Sequence, residues 1–238
     1  MKINRFFGNF DLSEKSDLVV ITDPEIINQL KNVLRMRPGD VLALCDGKGG
    51  EAEGAIDALS KDRAEIRLLK TGRNENEPKR RVTLCLSVLK RENFEIATQK
   101  AVEAGVFRIV PIRTDRTIKK NLNGTRLGKI LKEAAEQSGR GIVPELWEET
   151  DFRDALEKMR RENCSLVVCD AAGKAFRANE AGEGSMCVFV GPEGGWTKEE
   201  LDLAAECGAA VVSLGKLTLR AETAAIVASY LSVNGLFK

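Results

Sequence analysis

Residues 188–200 read VFVGPEGGWTKEE, and this segment decides the fold class. An apolar run with the length of a buried strand enters a turn that holds three glycines, and Thr197 with Glu200 three residues later forms the capping box of a helix. The segment therefore predicts a strand, a tight loop and a helix in succession. Glycines after a strand let the backbone approach a ligand closely with free N–H groups, although a purely structural turn also uses Gly and Pro.

The same alternation of strand and helix extends on both sides of this segment. Apolar runs predict buried strands at residues 82–89, 106–112, 165–169, 186–190 and 210–214. Periodicity predicts helices at residues 92–104, 126–138, 151–161 and 221–236. Strands that alternate with helices form a mostly parallel sheet covered on both faces, so the predicted fold class is α/β.

A different pattern precedes a polar stretch at residues 71–78, TGRNENEP, which has the composition of a linker. Before it, short apolar segments are broken by turn signals at residues 37–40 and 46–50, a pattern typical of a small β-barrel. One helix is predicted at residues 24–34, with Asp23 as its N-cap. The chain is thus predicted to contain two domains.

Composition excludes several classes of function. The chain has 238 residues, no histidine, and six cysteines without a Cys-x-x-Cys pair. Imidazole-based triads and His-ligated metals are therefore excluded, and a disulfide framework or a zinc site is disfavoured. Neither of the glycine motifs of P-loop or dinucleotide-binding folds occurs. Because no apolar run reaches the roughly 20 residues of a membrane span and no signal peptide opens the chain, we expect a cytoplasmic protein without a bound metal.

Positive charge is concentrated in the middle of the chain. The net charge is +1, but residues 73–140 carry 16 Lys and Arg against 8 Asp and Glu. Such a block is typical of a polyanion-binding face. Solvated helix and loop surface would give the same count, so the block alone does not decide between the two.

A second segment with candidate binding or catalytic residues is LGKLTLRAETA at residues 214–224. It leaves a predicted strand, and Arg220 and Glu222 stand at the mouth of the last apolar helix. In open α/β sheets, ligands bind at the carboxyl ends of the strands, which is where this segment lies. The structural alternative is that Glu222 complements the dipole of the helix N-terminus and that Arg220 pairs with it.

Together these segments resemble the methyl-donor-binding signatures of the SPOUT superfamily, and the chain is similar to the ribosomal RNA small subunit methyltransferase E family over nearly its whole length. The resemblance implies a PUA-like, RNA-binding β-barrel over residues 1–72. It also implies a SPOUT α/β methyltransferase domain over residues 73–238, with a trefoil knot in roughly residues 165–238. The motifs that carry it are VLRMRPGD at 33–40, QKAVEAGV at 99–106, EAAEQSGR at 133–140, GPEGG at 191–195, LG at 214–215 and LRAETA at 219–224.

The resemblance implies S-adenosyl-L-methionine-dependent methylation of uridine N3 in 16S rRNA of the 30S subunit, giving 3-methyluridine, by a cytoplasmic homodimer. Arg220 is then the candidate cation for charge that develops on uracil, and Glu222 the candidate for accepting the N3 proton or ordering the site. The implied donor-binding residues are Val190, Gly191, Pro192, Glu193, Gly194, Gly195, Leu214, Gly215, Leu217, Leu219 and Thr223. The expected RNA contacts are Arg5, Arg35, Arg37, Arg113, Arg116, Lys119 and Lys120.

The chain departs from the family pattern at several positions. The family usually has Arg and Ile where this chain has Leu217 and Thr218, and often a His where Asn28 and Gln29 stand. The departure at Leu217 favours one alternative, a non-catalytic RNA-binding or ribosome-assembly factor. The knot motifs alone also fit a SPOUT methyltransferase that acts on another RNA position.

Overall fold

The computed structural model describes residues 3–12, 16–118, 121–177 and 184–235. The chain divides into two compact units. The first unit comprises Met1–Glu77 and Ala135–Val143, and the second comprises Pro78–Ala134 and Pro144–Lys238.

The first unit is built on one five-stranded sheet. Its elements are β1 Asn4–Phe7, β2 Leu18–Ile21, α1 Pro24–Asn28, β3 Val41–Cys45, β4 Gly50–Leu59 and β5 Ala64–Arg73. The strand order is β1-β3-β4-β5-β2, with β1 parallel to β3 and the other neighbours antiparallel. Apolar side chains from the sheet and from α1 form its core, among them Phe6, Ile26, Leu44 and Ile66.

The helix predicted at residues 24–34 begins where expected, but it is α-helical only in its first half. The Asp23 carboxylate caps it by accepting hydrogen bonds from two backbone N–H groups of the first turn, at 2.8 and 3.3 Å. After Pro24–Asn28 the chain continues as a π-helical turn over Gln29–Val33. Arg35 follows with φ of 54°, so the helix ends before the arginines that are expected to bind RNA.

The polar stretch before residue 78 is held by hydrogen bonds. The Glu77 carboxylate accepts a hydrogen bond from Arg140 at 2.9 Å and further ones from the next two backbone N–H groups. Asn74 Nδ2 donates to the Gly139 carbonyl at 3.2 Å. These contacts join the later segment at residues 135–143 to the first unit, an association that the linear order of the chain does not indicate.

The second unit is a parallel sheet with helices between its strands. Its elements are β6 Val82–Ser87, α2 Arg91–Glu103, β7 Arg108–Arg113, α3 Gly124–Ser138, β8 Glu145–Leu146, β9 Thr150–Asp151, α4 Phe152–Arg161, β10 Ser165–Ala175, β11 Met186–Val190, α5 Lys198–Glu206, β12 Ala210–Ser213 and α6 Ala221–Asn234. From Ala135 onward, the residues of α3 belong to the first unit. The strand order is β12-β10-β11-β6-β7-β8, and β9 also pairs with β7. All of these pairs are parallel, as the alternation of strands and helices predicts.

The sequence of α2 accounts for both its buried face and its end. Phe94, Ala97, Ala101 and Val102 recur at the spacing of one helix face, and all four are buried. Gly105 follows the helix with φ of 99°, a left-handed conformation that glycine adopts at little cost. The chain can therefore turn sharply into β7.

Strand β10 is longer than the strand predicted at residues 165–169. Its pairing with β12 shifts in register between Cys169 and Lys174. Gly173 lies so close to the backbone of Val212 that a Cβ there would come within 2.5 Å of it. The apolar run stops at Cys169, so the sequence pattern did not indicate that the strand continues beyond it.

Two expectations from composition can be compared with the described residues. Within the described ranges, no helix combines the length and the apolar character needed to cross a bilayer. All six cysteines are free thiols. Cys85 and Cys187 lie 3.3 Å apart, Sγ to Sγ, in the buried core of the sheet.

Candidate active site

A cavity of about 390 Å³ lies at the carboxyl ends of β11 and β12 and beside residues 169–171 in the middle of β10. These three strands are neighbours in the parallel sheet, so the segments that leave them meet at one edge. Two of those segments are the glycine-rich loop at residues 191–196 and the irregular stretch at residues 214–220. β10 contributes Cys169, Asp170 and Ala171, which lie at and just beyond the end of its pairing with β11.

Most of the predicted donor-binding residues lie at this cavity. Its lining includes Val190, Gly191, Pro192, Glu193, Gly195, Leu214, Gly215, Leu217, Leu219 and the candidate catalytic Arg220. Gly194, Glu222 and Thr223 are not part of the lining. The lining residues that sequence reasoning missed are Cys169, Asp170, Ala171, Trp196, Ser213, Thr218, Ala221 and Ala224.

Trp196 shapes the loop that follows β11. Its Nε1–H donates to the Cys169 carbonyl at 2.9 Å, and its ring packs on Phe152 with the centroids 4.7 Å apart. Gly191 lies directly against the indole, where a Cβ would be 2.9 Å from the ring. Gly195 adopts φ of 68°. The loop thus needs glycine at two positions, once for close approach and once for a left-handed turn.

The segment after β12 forms the opposite side of the cavity. Gly215 has φ of 146°, and the Ser213 hydroxyl donates to its carbonyl at 2.9 Å. The Leu217 side chain is 82% exposed. Arg220 occupies the N-cap position of α6 and is exposed, and its guanidinium has no ion-pair partner in the part of the chain that the structure describes.

The structural alternative for Arg220 and Glu222 is an ion pair, and no such pair joins them in the described ranges. Glu222 lies in the first turn of α6, where a carboxylate complements the helix dipole. Its Oε2 is buried and accepts no hydrogen bond from the described residues. This oxygen therefore retains the capacity to accept a hydrogen bond or a proton.

Two carboxylates and one guanidinium line the cavity, from Asp170, Glu193 and Arg220. The Asp170 carboxylate is fixed by a hydrogen bond from the Ala172 N–H at 2.9 Å. Burial, and to a smaller extent the Asp170 charge, raises the pKa of the neighbouring Cys169 thiol to about 12. The thiol stays protonated near neutral pH, so Cys169 is not a thiolate nucleophile.

The three arginines of the first unit that are expected to bind RNA differ in their contacts. Arg35 and Arg37 are exposed, and across the described residues their guanidinium groups form no ion pair. Arg5 forms an ion pair with Glu51 at 3.2 Å, and its side chain is only 17% exposed. A phosphate contact through Arg5 would require that pair to break.

In the second unit, the two described arginines that are expected to bind RNA already contact other protein groups. Arg113 forms ion pairs with two carboxylates, at 3.0 and 3.1 Å, and both raise its pKa above the ordinary value. Arg116 donates hydrogen bonds to carbonyls of the loop after β11. Lys119 and Lys120 lie outside the described residues. The RNA contacts of this unit stay a prediction.

Comparison with known proteins gives two family matches and several close relatives. A family described as an RNA methyltransferase domain matches residues 75–232, and one described as an RNA methyltransferase PUA domain matches residues 21–69. The chain is 31% identical to the ribosomal RNA small subunit methyltransferase E of Rickettsia conorii, over 96% of this chain and 94% of that protein. It is 30% identical to the protein of the same name from Bacillus subtilis, over 90% and 89% of the two chains.

A solved structure extends the likeness to the fold. The ribosomal RNA small subunit methyltransferase E from Neisseria gonorrhoeae, in a crystal structure bound to S-adenosyl methionine, is 34% identical to this chain. The two superpose with a TM-score of 0.87, over 96% of this chain and 95% of that one. Every residue that lines the cavity falls within the matched range 75–232.

Proposed function

This chain belongs to the ribosomal RNA small subunit methyltransferase E family, and from that premise we propose that it methylates N3 of a specific uridine in 16S rRNA of the 30S subunit, giving 3-methyluridine. The methyl donor is S-adenosyl-L-methionine, and the place of action is the cytoplasm. One observation carries the proposal: the signature segments at residues 191–195 and 214–220 converge on a single cavity at the carboxyl edge of the sheet.

The cavity suits this donor in size and charge. Its volume of about 390 Å³ lies within the range of ligand pockets, roughly 300–1,000 Å³. The donor supplies a methyl group that is already activated on a cationic sulfonium, and it also carries an ammonium group. Asp170 and Glu193 provide negative charge for these cations. Gly191, Gly195 and Gly215 line the cavity, and a residue without a Cβ lets a ligand approach the backbone closely.

Because the methyl group is already activated, the protein has to position uracil and favour its deprotonated form. Loss of the N3 proton places negative charge on O2 and O4 of the ring. The Arg220 guanidinium at the cavity lowers the energy of that state. Glu222, whose buried Oε2 accepts no hydrogen bond from the described residues, accepts the N3 proton or orders the site. The chain contains no histidine to take either role.

Three finer features of the architecture belong to the same proposal. Family membership supports a trefoil knot within roughly residues 165–238, closure of the five-stranded sheet into a PUA-like barrel, and a homodimer. The strand order β12-β10-β11-β6, in which β12 pairs with β10 and not with β11, its neighbour in sequence, agrees with the knot. An open groove between α2 and α6, with Tyr230 at 42% exposure, agrees with an interface between two copies.

A second candidate function is non-catalytic RNA binding in ribosome assembly. The observation that favours it is Leu217, which is 82% exposed at the cavity and stands where the family usually has Arg. Such a factor has no reason to retain donor affinity. Titration calorimetry with S-adenosyl-L-methionine separates the two, because a dissociation constant of about 1–100 μM supports the enzyme and no measurable binding supports the alternative.

Transfer of labelled methyl groups to ribosomal subunits tests the choice of substrate. The chain is incubated with methyl-labelled donor and with 30S or 50S subunits from cells that lack the modification. We expect label in 16S rRNA of the 30S subunits and none in the 50S subunits. Label in the 50S rRNA alone would contradict the proposed substrate and leave methyl transfer itself intact.

Asp170→Asn is expected to weaken donor binding about 10-fold, because a charge-assisted contact contributes about 1.5–3 kcal/mol. The amide has the shape of the carboxylate and can still accept the hydrogen bond from Ala172. Titration calorimetry measures the change, and Asp202→Asn, at an exposed position on α5 that does not line the cavity, is the matched control. Equal donor affinity in both variants would remove Asp170 from the donor site.

Replacing Arg35 and Arg37 together with alanine is expected to weaken RNA binding and to flatten its salt dependence. Two lost phosphate contacts lower the slope of log affinity against log salt by about 1.4–1.8. Binding titrations at several salt concentrations measure this slope. Arg63→Ala removes an arginine that is already paired with Glu65, so it should leave the slope unchanged. An unchanged slope in the double variant would exclude both arginines as phosphate contacts.

A further inference from the structure

Arg116 contacts the loop that follows β11 rather than standing free on the basic surface. Its Nη1 donates to the Gly194 carbonyl at 2.6 Å and to the Trp196 carbonyl at 3.1 Å. Its aliphatic carbons also lie over Gly194, where a Cβ would come within 3.3 Å of them. The Arg116 side chain thus binds two carbonyls of the loop, one on either side of Gly195.

The residue before Arg116 is tied to the same loop. The backbone N–H of Asp115 donates to Glu200 Oε1 at 3.0 Å, and the Thr197 hydroxyl donates to the Asp115 carboxylate at 3.4 Å. Thr197 and Glu200 form the capping box of α5, so the segment after β7 shares in that cap. The contacts of Arg116 are therefore part of a network and not those of an isolated surface side chain.

The segment that carries Arg116 is itself anchored to the sheet. The Thr117 hydroxyl lies 2.8 Å from the Ser87 hydroxyl at the end of β6 and accepts a hydrogen bond from the Thr114 N–H at 2.9 Å. The backbone closes a turn from Thr117 N–H to the Thr114 carbonyl at 3.0 Å. Arg116 therefore acts from a fixed position.

We propose that Arg116 is a positioning residue for the methyl donor: it holds the carbonyls of Gly194 and Trp196 so that the loop at residues 191–196 keeps the shape that binds the donor. The proposal rests on the proposed function and departs from the expectation that Arg116 contacts a phosphate. Neither Arg116 nor Gly194 lines the cavity, whereas Gly191, Gly195 and Trp196 do. The effect of Arg116 on the donor is thus transmitted through the loop.

Arg116→Ala is expected to raise the dissociation constant for S-adenosyl-L-methionine about 10-fold, because two hydrogen bonds from a charged group are lost. The turnover rate at saturating donor should stay within about threefold of the wild-type rate, since no group at the reacting atoms changes. Arg116→Lys should recover part of the affinity through its single ammonium group. Arg161→Ala, which removes an exposed arginine paired with Glu157 on α4, is the control and should bind the donor normally.

The slope of RNA affinity against salt separates this role from a phosphate contact. It should be unchanged in Arg116→Ala, whereas loss of a phosphate contact would lower it by about 0.7–0.9. A lowered slope together with donor affinity within about twofold of wild type would overturn the proposal.

A fluorescence measurement tests, without any ligand, whether Arg116 holds the loop at residues 191–196. The chain has two tryptophans, so Trp147→Phe leaves Trp196 as the only one. In that background, Arg116→Ala should increase quenching of Trp196 by acrylamide about twofold, because the loop opens locally. Unchanged quenching would contradict the claim that Arg116 holds the loop in place. A wild-type chain that binds no donor would overturn the proposed function, and the quenching result would still decide whether Arg116 holds the loop.

Discussion

Replacing Arg220 with alanine is expected to lower the rate of methyl transfer at saturating donor by about 100- to 1,000-fold, as the loss of a preorganised charge-stabilising group does in other enzymes. The guanidinium lines the cavity and has no ion-pair partner within the described residues, so it can face the negative charge on uracil. Donor affinity should change by less than about threefold, because the donor carries a net positive charge and is not attracted overall to the Arg220 cation.

The pH dependence of the Arg220 variants gives an independent check. High pH removes the N3 proton without help, so the rate of Arg220→Ala should rise more steeply with pH than the wild-type rate. Arg220→Lys should recover part of the rate at neutral pH, because a point charge remains. Single-turnover kinetics at several pH values measures both effects. A wild-type rate in Arg220→Ala would remove this residue from the mechanism.

The second large effect is expected at Gly191. A Cβ there would lie 2.9 Å from the Trp196 ring, and the ring cannot move freely because it is hydrogen-bonded to Cys169 and packed on Phe152. Gly191→Ala should therefore lower the free energy of unfolding by about 1–3 kcal/mol through overpacking. Donor affinity should fall about 30-fold or more, because the displaced loop lines the cavity and each 1.4 kcal/mol is a factor of ten.

Gly128→Ala is the matched control for this substitution. Gly128 lies within α3, and a Cβ there would meet no atom within 4 Å. Helix propensity then gives a gain of up to about 1 kcal/mol, with donor affinity unchanged. Thermal unfolding and titration calorimetry measure the two effects. If Gly191→Ala unfolds and binds donor like the wild type, the close contact between this loop and Trp196 does not matter for the site.

Local patterns were sufficient to predict the elements that frame the site. β11 has the predicted bounds Met186–Val190, and the predicted capping box of α5 is present. α6 begins at Ala221 as predicted and ends at Asn234, before the predicted end at residue 236. Each of these features depends on burial or hydrogen bonds among residues close in sequence, which is why a pattern of a few residues can encode it.

The polar side of the cavity depended on contacts that local patterns do not encode. Asp170 and Trp196 reach the cavity because the sheet places β10 between β12 and β11, and the hydrogen bond from Trp196 to Cys169 spans 27 residues of sequence. One local signal could have found Asp170: it is the first acidic residue after the apolar run of β10, at the edge of a parallel sheet where ligands bind.

Charge counting likewise could not separate free arginines from engaged ones. Arg5 and Arg113 are held in ion pairs, and Arg116 binds backbone carbonyls. Among the arginines expected to bind RNA, Arg35 and Arg37 are exposed, and their guanidinium groups form neither an ion pair nor a hydrogen bond in the described ranges. The partners of the engaged arginines lie 36 to 80 residues away in sequence, so composition alone could not identify them.

Nucleoside mass spectrometry of 16S rRNA tests the central claim most directly. 30S subunits that lack the modification are incubated with the purified chain and S-adenosyl-L-methionine, with the Arg220→Ala variant in parallel, and the rRNA is digested to nucleosides. The account predicts new 3-methyluridine with the wild-type chain and strongly reduced amounts with the variant. A different methylated nucleoside, or no methylated nucleoside from a chain that binds the donor, would contradict the assignment of uridine N3 in the 30S subunit as the target.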